Sequence, residues 1–112
     1  LSSGFVPTDV AKELDFLCVH LYPDAGKMTE SLSTLAGFSI GKPVVIEETF
    51  PLRCTPDEHA RFIDESRPLA SGWIGFYWGR PPEELQQSPD PSDRLLLGWL
   101  ERFQMGPPAG IP

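Results

Sequence analysis

Three apolar runs dominate this sequence: DFLCVHLY at 15–22, PVVIEE at 43–48 and GWIGFYW at 72–78. Each is rich in β-branched or aromatic side chains and is punctuated by Pro or Gly, as expected of strands buried on both faces. Between them the apolar residues change period. Met28, Leu32, Leu35 and Ala36 recur at helical spacing before Gly37 breaks the pattern. Thr55, Pro56 and Glu58 then make a complete helix start: a capping hydroxyl, a Pro at the first helical position and a Glu placed to return the capping bond. That helix turns Phe62 and Ile63 inward and ends before Pro68. Upstream, Thr8 is read as the cap of a short turn through Leu14, entered after Pro7. Downstream, Pro81, Pro82, Pro89 and Pro91 stiffen a polar loop, and Ser92 is read as the cap of a last helix with Leu96, Trp99, Leu100 and Phe103 on one face.

Alternating strands and helices with continuous apolar strands specify α/β architecture, a parallel sheet covered by helices. An open doubly wound sheet and part of a (β/α)8 barrel both fit, and both place ligands at the C-terminal ends of the strands. With 112 residues the chain is at most one small domain. Its start on Leu1, without an initiator Met or a signal-peptide core, and its GPPAGIP end mark it as an expected piece of something longer. Residues 1–105 are taken as the folded portion and 106–112 as a Gly/Pro-rich tail.

Charge narrows the partners. Sixteen acidic residues against nine basic ones give a formal charge of −7, which repels phosphate backbones and anionic lipid, so neither nucleic acid nor a membrane surface is expected. No apolar run approaches the roughly 20 residues of a membrane span. Cys18 and Cys54 form neither a disulfide framework nor a C-x-x-C metal or redox pattern, which leaves the compartment open.

Side chains alternate along a strand. Cys18, His20 and Tyr22 therefore share one face, and Leu17, Val19 and Leu21 share the face that packs on helices. By the same rule Val44, Ile46 and Glu48 share a face, with Val45, Glu47 and Thr49 opposite, so the two adjacent acids are expected to point different ways. Trp78 lies in register with Phe76 and Ile74, and Tyr77 points away.

VHLYP at 19–23, KPVVIEE at 42–48 and GFYWG at 75–79, in this order and spacing, resemble strands six, seven and eight of retaining (β/α)8 glycoside hydrolases of the cellulase and mannanase type, the family 5-like members of clan A. The resemblance covers the chain from about Val6 to Phe103. It implies a partial TIM barrel, strands six to eight with their helices. It further implies that Glu48 is the nucleophile, that His20 and Tyr22 line the sugar site, and that Trp78 forms the floor under the bound sugar. Polysaccharide or oligosaccharide substrates, β-glucan or mannan, follow from the same likeness, with no metal and no organic cofactor.

Two departures qualify the resemblance. Thr49, Phe50 and Pro51 follow the nucleophile position where the family has an aromatic and a Gly. The family's acid/base is a Glu after an Asn at the end of strand four, and no Asn occurs in this chain. Retaining hydrolysis needs a second carboxylate about 5 to 5.5 Å from the nucleophile, and Glu47, taken as facing away across the pleat, does not supply it. A whole barrel needs about 250 residues. The chain is thus expected to be a C-terminal portion that carries the nucleophile, depends on the N-terminal remainder of the barrel as partner, and hydrolyses nothing alone. The alternative is a non-catalytic carbohydrate-binding or scaffolding relic of such a barrel. An unrelated open α/β domain ranks last, because VHLYPDAGK has one Gly where a phosphate loop needs several.

The remaining residues are read as structural. Glu47 is a salt-bridged or helix-facing acid, His59 a surface residue of its helix, Trp73 and Trp99 packing residues, and Cys18 a small buried thiol. Arg80, just beyond Trp78, is placed to contact a substrate hydroxyl or carboxylate.

Overall fold

In the computed structural model, which describes residues 4–105, the chain divides between Phe76 and Tyr77 into two compact units. The tail at 106–112 lies outside the described residues. The first unit is a parallel three-stranded sheet with its strands in chain order: β1 (Leu17–His20), β2 (Val44–Thr49) and β3 (Gly72–Gly75). Helix α1 (Pro7–Val10) and a 3-10 turn (Ala11–Glu13) lead into β1. Helix α2 (Met28–Ala36) carries the chain from β1 to β2 and α3 (Pro56–Glu65) from β2 to β3, the crossovers that parallel neighbours require. Consecutive strand order is common to a barrel segment and to one flank of an open sheet.

Leu17 and Val19 of β1, Val44 and Ile46 of β2, Leu35 of α2 and Phe62 of α3 form one buried cluster, so both crossover helices cover the same face of the sheet. Leu35, Ile46 and Phe62 have no exposed surface, and each such side chain contributes roughly 1.5–3 kcal/mol relative to an exposed one. On the opposite face of β1, Cys18 and His20 are exposed. Cys18 is therefore not the buried thiol its apolar neighbours suggested.

The capping box that opens α3 forms as expected: Glu58 N–H donates to Thr55 Oγ1 at 3.2 Å and Thr55 N–H donates to Glu58 Oε2 at 2.9 Å. The other two proposed caps do not. Val6 occupies the cap position of α1 without a side-chain bond, because Pro7 rather than Thr8 takes the first turn. Asp90 caps the last helix, receiving Ser92 N–H at 2.9 Å. Pro91 fills the first helical position, where its missing N–H costs nothing, which moves the start ahead of Ser92.

The second unit holds α4 (Pro82–Gln86) and α5 (Pro91–Gln104). The stretch read as a polar loop thus contains a short helix, opened by Pro82 and supported by Glu83 and Glu84 at the positive end of its dipole. Leu85 and Trp99 are buried, and the Trp99 ring lies 5.0 Å from that of Phe103. Arg80 pairs with Asp93, which also accepts from the Ser88 hydroxyl. Those two donors hold the Asp93 carboxyl below its ordinary range. The Trp78 side chain is fully exposed.

Candidate functional site

The site grows from an irregularity in β2. On one side Val19 pairs with Ile46 but the next residue, His20, pairs with Glu48, so one residue of β2 has no partner. On the other side Ile46 pairs with Trp73 and Thr49 with Gly75, three steps on β2 against two on β3. Both neighbours report the same extra residue, a bulge at Glu47–Glu48. Such bulges are rare between parallel strands, and they re-aim side chains next to active sites.

Its effect on the side chains is direct. Strict alternation from Val44 and Ile46 would drive Glu48 into the helix-covered core. The bulge hands that position to Thr49, which is wholly buried, and leaves both acids on the face that carries His20. The expectation that Glu47 and Glu48 point apart is therefore wrong; of the two readings of Glu47 the helix-facing one fails, and its carboxylate instead meets His20. No periodicity argument shows this, because the bulge breaks the period.

Three side chains converge on the acids. His20 Nε2 lies 3.0 Å from Glu47 Oε1, His20 Nδ1 lies 3.1 Å from Glu48 Oε2, and the Tyr22 hydroxyl donates to the same Glu48 oxygen at 2.7 Å. The imidazole stands between the two carboxylates. A neutral ring has one N–H and one lone pair, so only the imidazolium offers a donor to both acids at once. Cys18 is near enough to Glu47 to be affected by it. Local burial first, then a hydrogen bond to Glu47 and that residue's charge, push the thiol above its ordinary value. Tyr22 is pushed up to about 12, first by burial and then by its hydrogen bond to Glu48 and the charge there. It remains a protonated donor throughout the neutral range.

Beneath the acids sits a residue that the sequence reading misplaced. His59, on the first turn of α3, is buried rather than on the surface, and its Nε2 lies 2.9 Å from Thr49 Oγ1. Burial lowers it to about 4, so the ring is neutral at ordinary pH. One signal pointed there: His59, Phe62, Ile63 and Ser66 fall at the i, i+3, i+4, i+7 spacing of a buried helical stripe. The loops after β1 and β2 are also tied together. Gly26 N–H donates to Glu58 Oε1 at 3.1 Å, Ala25 N–H donates to the Arg53 carbonyl at 2.9 Å, and Arg53 Nε lies 2.6 Å from Asp24.

Of the four residues singled out from the sequence, His20, Tyr22 and Glu48 are brought together, and Trp78 belongs to the second unit. No group of three or more His, Cys, Asp or Glu among the described residues is arranged to hold a metal ion, and none of their helices is long and apolar enough to cross a membrane. Comparisons with protein-family models, with curated proteins and with solved structures give no match.

Proposed function

We propose that this chain is the C-terminal portion of a retaining glycoside hydrolase that acts on β-linked glucan or mannan, with Glu48 as the nucleophile. The observation that carries the reading is the Tyr22–Glu48 hydrogen bond at 2.7 Å between the ends of neighbouring parallel strands, with His20 alongside. A carboxylate that attacks an anomeric carbon must be ionised, and donors aimed at it favour that form. Tyr22 is such a donor at neutral pH. His20 is a second when protonated and gives the carboxylate a fixed rotamer. Trp78 offers an exposed indole whose flat apolar face suits the C–H surface of a pyranose.

Glu47 is a second carboxylate beside His20, but its Oε1 is engaged by His20 Nε2 and the ring stands between it and Glu48. The acid/base is therefore assigned to the N-terminal remainder of the barrel. Two features of the first unit support that partner. Among the described residues strand β1 has a neighbour on one side only, and an open sheet edge is a template for another strand. Alongside it runs a groove of about 580 Å³ lined by Phe5, Leu14, Phe16 and Phe38 among others.

The test is a 2-fluoro glycoside inactivator applied to the protein together with its upstream sequence, followed by peptide mapping. Label on Glu48 supports the assignment. Label on another carboxylate overturns it, and so does turnover by a Glu48→Gln variant at the wild-type rate. Sugar binding with neither turnover nor label indicates the non-catalytic relic.

A further inference from the structure

The first turn of α3 touches the strand end that carries the acids, and nothing in the proposed chemistry uses it. His59 is 1 % exposed and Thr49 is 0 % exposed. They are joined at 2.9 Å through side chains ten positions apart. Thr49 is the residue that closes the bulge: it fills the core position which, in a regular strand, would belong to Glu48. A buried hydroxyl without a partner is costly, on the order of 1–3 kcal/mol. His59 meets the Thr49 hydroxyl in the core position and so removes that cost. With Val at 49 the same position is filled by an apolar side chain and the directional link to α3 disappears.

His59 is itself held in place. It follows Glu58, whose carboxylate closes the capping box on Thr55 and also accepts Gly26 N–H from the loop beyond β1. One helical turn is thus bonded to the end of β2 through Thr49 and to the loop after Tyr22 through Gly26. The acids come from the first of these segments, His20 from the end of β1, and Tyr22 from the chain just beyond it that leads into the second.

We infer that His59 is a positioning residue: through Thr49 it locks the bulge of β2 and so aims Glu47 and Glu48 at His20. The inference rests on the proposed function only in treating this cluster as a functional site. The link sits beneath the acids and makes no contact with substrate in that reading. Its consequence is a fixed spacing between Glu48 and the donors of the neighbouring strand, which a freely sliding strand end would not maintain.

The experiment uses the whole 112-residue chain. The ring nitrogen resonances of its two histidines are followed by long-range ¹H–¹⁵N correlation at neutral pH. His20 reports on its own distance from both acids, and a Glu48→Gln variant supplies the shift that follows when that contact is altered directly. Thr49→Val is expected to move the His20 resonances most of the way to the Glu48→Gln position. Thr49→Ser, which restores the hydroxyl, is expected to return them to the wild-type position. Ile46→Val, which loosens the same strand without touching the link, is expected to leave them in place. Unmoved His20 resonances in a folded Thr49→Val variant overturn the inference, as does an equal shift in Ile46→Val. This readout does not depend on hydrolysis, so failure of the glycosidase reading in the labelling experiment leaves it standing or falling by itself.

Discussion

The hydroxyl of Tyr22 donates to Oε2 of Glu48 at 2.7 Å, across two strands and 26 positions of sequence. The bond exists because the bulge turns Glu48 out of the core and toward β1. It also gives the site a measurable signature. With Tyr77 replaced by Phe to leave one phenol in the chain, ultraviolet titration should place Tyr22 near 12. Burial is the largest cause of that elevation and Glu48 the next. A Glu48→Gln substitution should therefore bring the midpoint part of the way back toward 10. An unchanged midpoint in that variant contradicts the pairing.

The buried His59 makes the fold sensitive to mild acid. Its folded-state value is about 4 against 6.5 for the free side chain. Between those values the unfolded chain binds the proton and the native protein does not, so stability rises with pH. The contribution is fully present above about 6.5 and is lost as pH falls toward 4, to a total of about 3 kcal/mol. Urea midpoints measured from pH 7 down to pH 4.5 should fall steadily. A His59→Gln variant should flatten that slope, and a flat wild-type profile over the same range rules out a buried neutral ring.

Thr55 caps α3 with both bonds of the box in place. Thr55→Ala should cost about 1 kcal/mol, the usual loss on removing a hydroxyl cap, and Thr55→Ser should recover most of it. The measurement is the denaturant midpoint at neutral pH. A loss below a few tenths of a kcal/mol would mean that the backbone N–H groups of Gly26 and of position 55 are enough to hold Glu58 without the hydroxyl.

Local chemistry made much of the first unit readable. The spacing of Met28, Leu32, Leu35 and Ala36 against Gly37 delimits α2, and Thr55, Pro56 and Glu58 mark the start of α3, because caps and periods are properties of neighbouring residues. Alternation along β1 separates buried Leu17 and Val19 from exposed Cys18 and His20 for the same reason. What escaped depends on tertiary contact. The bulge is set by how β2 lies against both neighbours, and the burial of His59 by the Thr49 hydroxyl that meets it. At the ends of α1 and α5 the errors were of another kind: Pro7 and Pro91 took the first helical position ahead of the hydroxyl residues named as caps. For the candidate site, His20, Tyr22 and Glu48 were legible as a group, whereas the share of Glu47 in it was hidden by the broken period.

The bulge predicts which deletions β2 tolerates. Removing Glu47 leaves Val44, Val45, Ile46, Glu48 and Thr49 in perfect alternation: Val44, Ile46 and Thr49 toward the helices, Val45 and Glu48 away from them. Nothing in the buried set changes face, so the deletion should fold with the Tyr22–Glu48 bond retained and lose only the contacts from Glu47 to His20 and Cys18. Removing Ile46 instead takes out a wholly buried side chain and, with Val44 and Thr49 kept inward, puts Glu47 in its core position. A carboxylate forced into the core adds its own burial cost to roughly 2–5 kcal/mol for the lost core residue. Cooperative thermal unfolding followed by circular dichroism should survive the Glu47 deletion and vanish in the Ile46 deletion. If both deletions behave alike, the extra residue is not at Glu47 and the two acids owe their common face to something else.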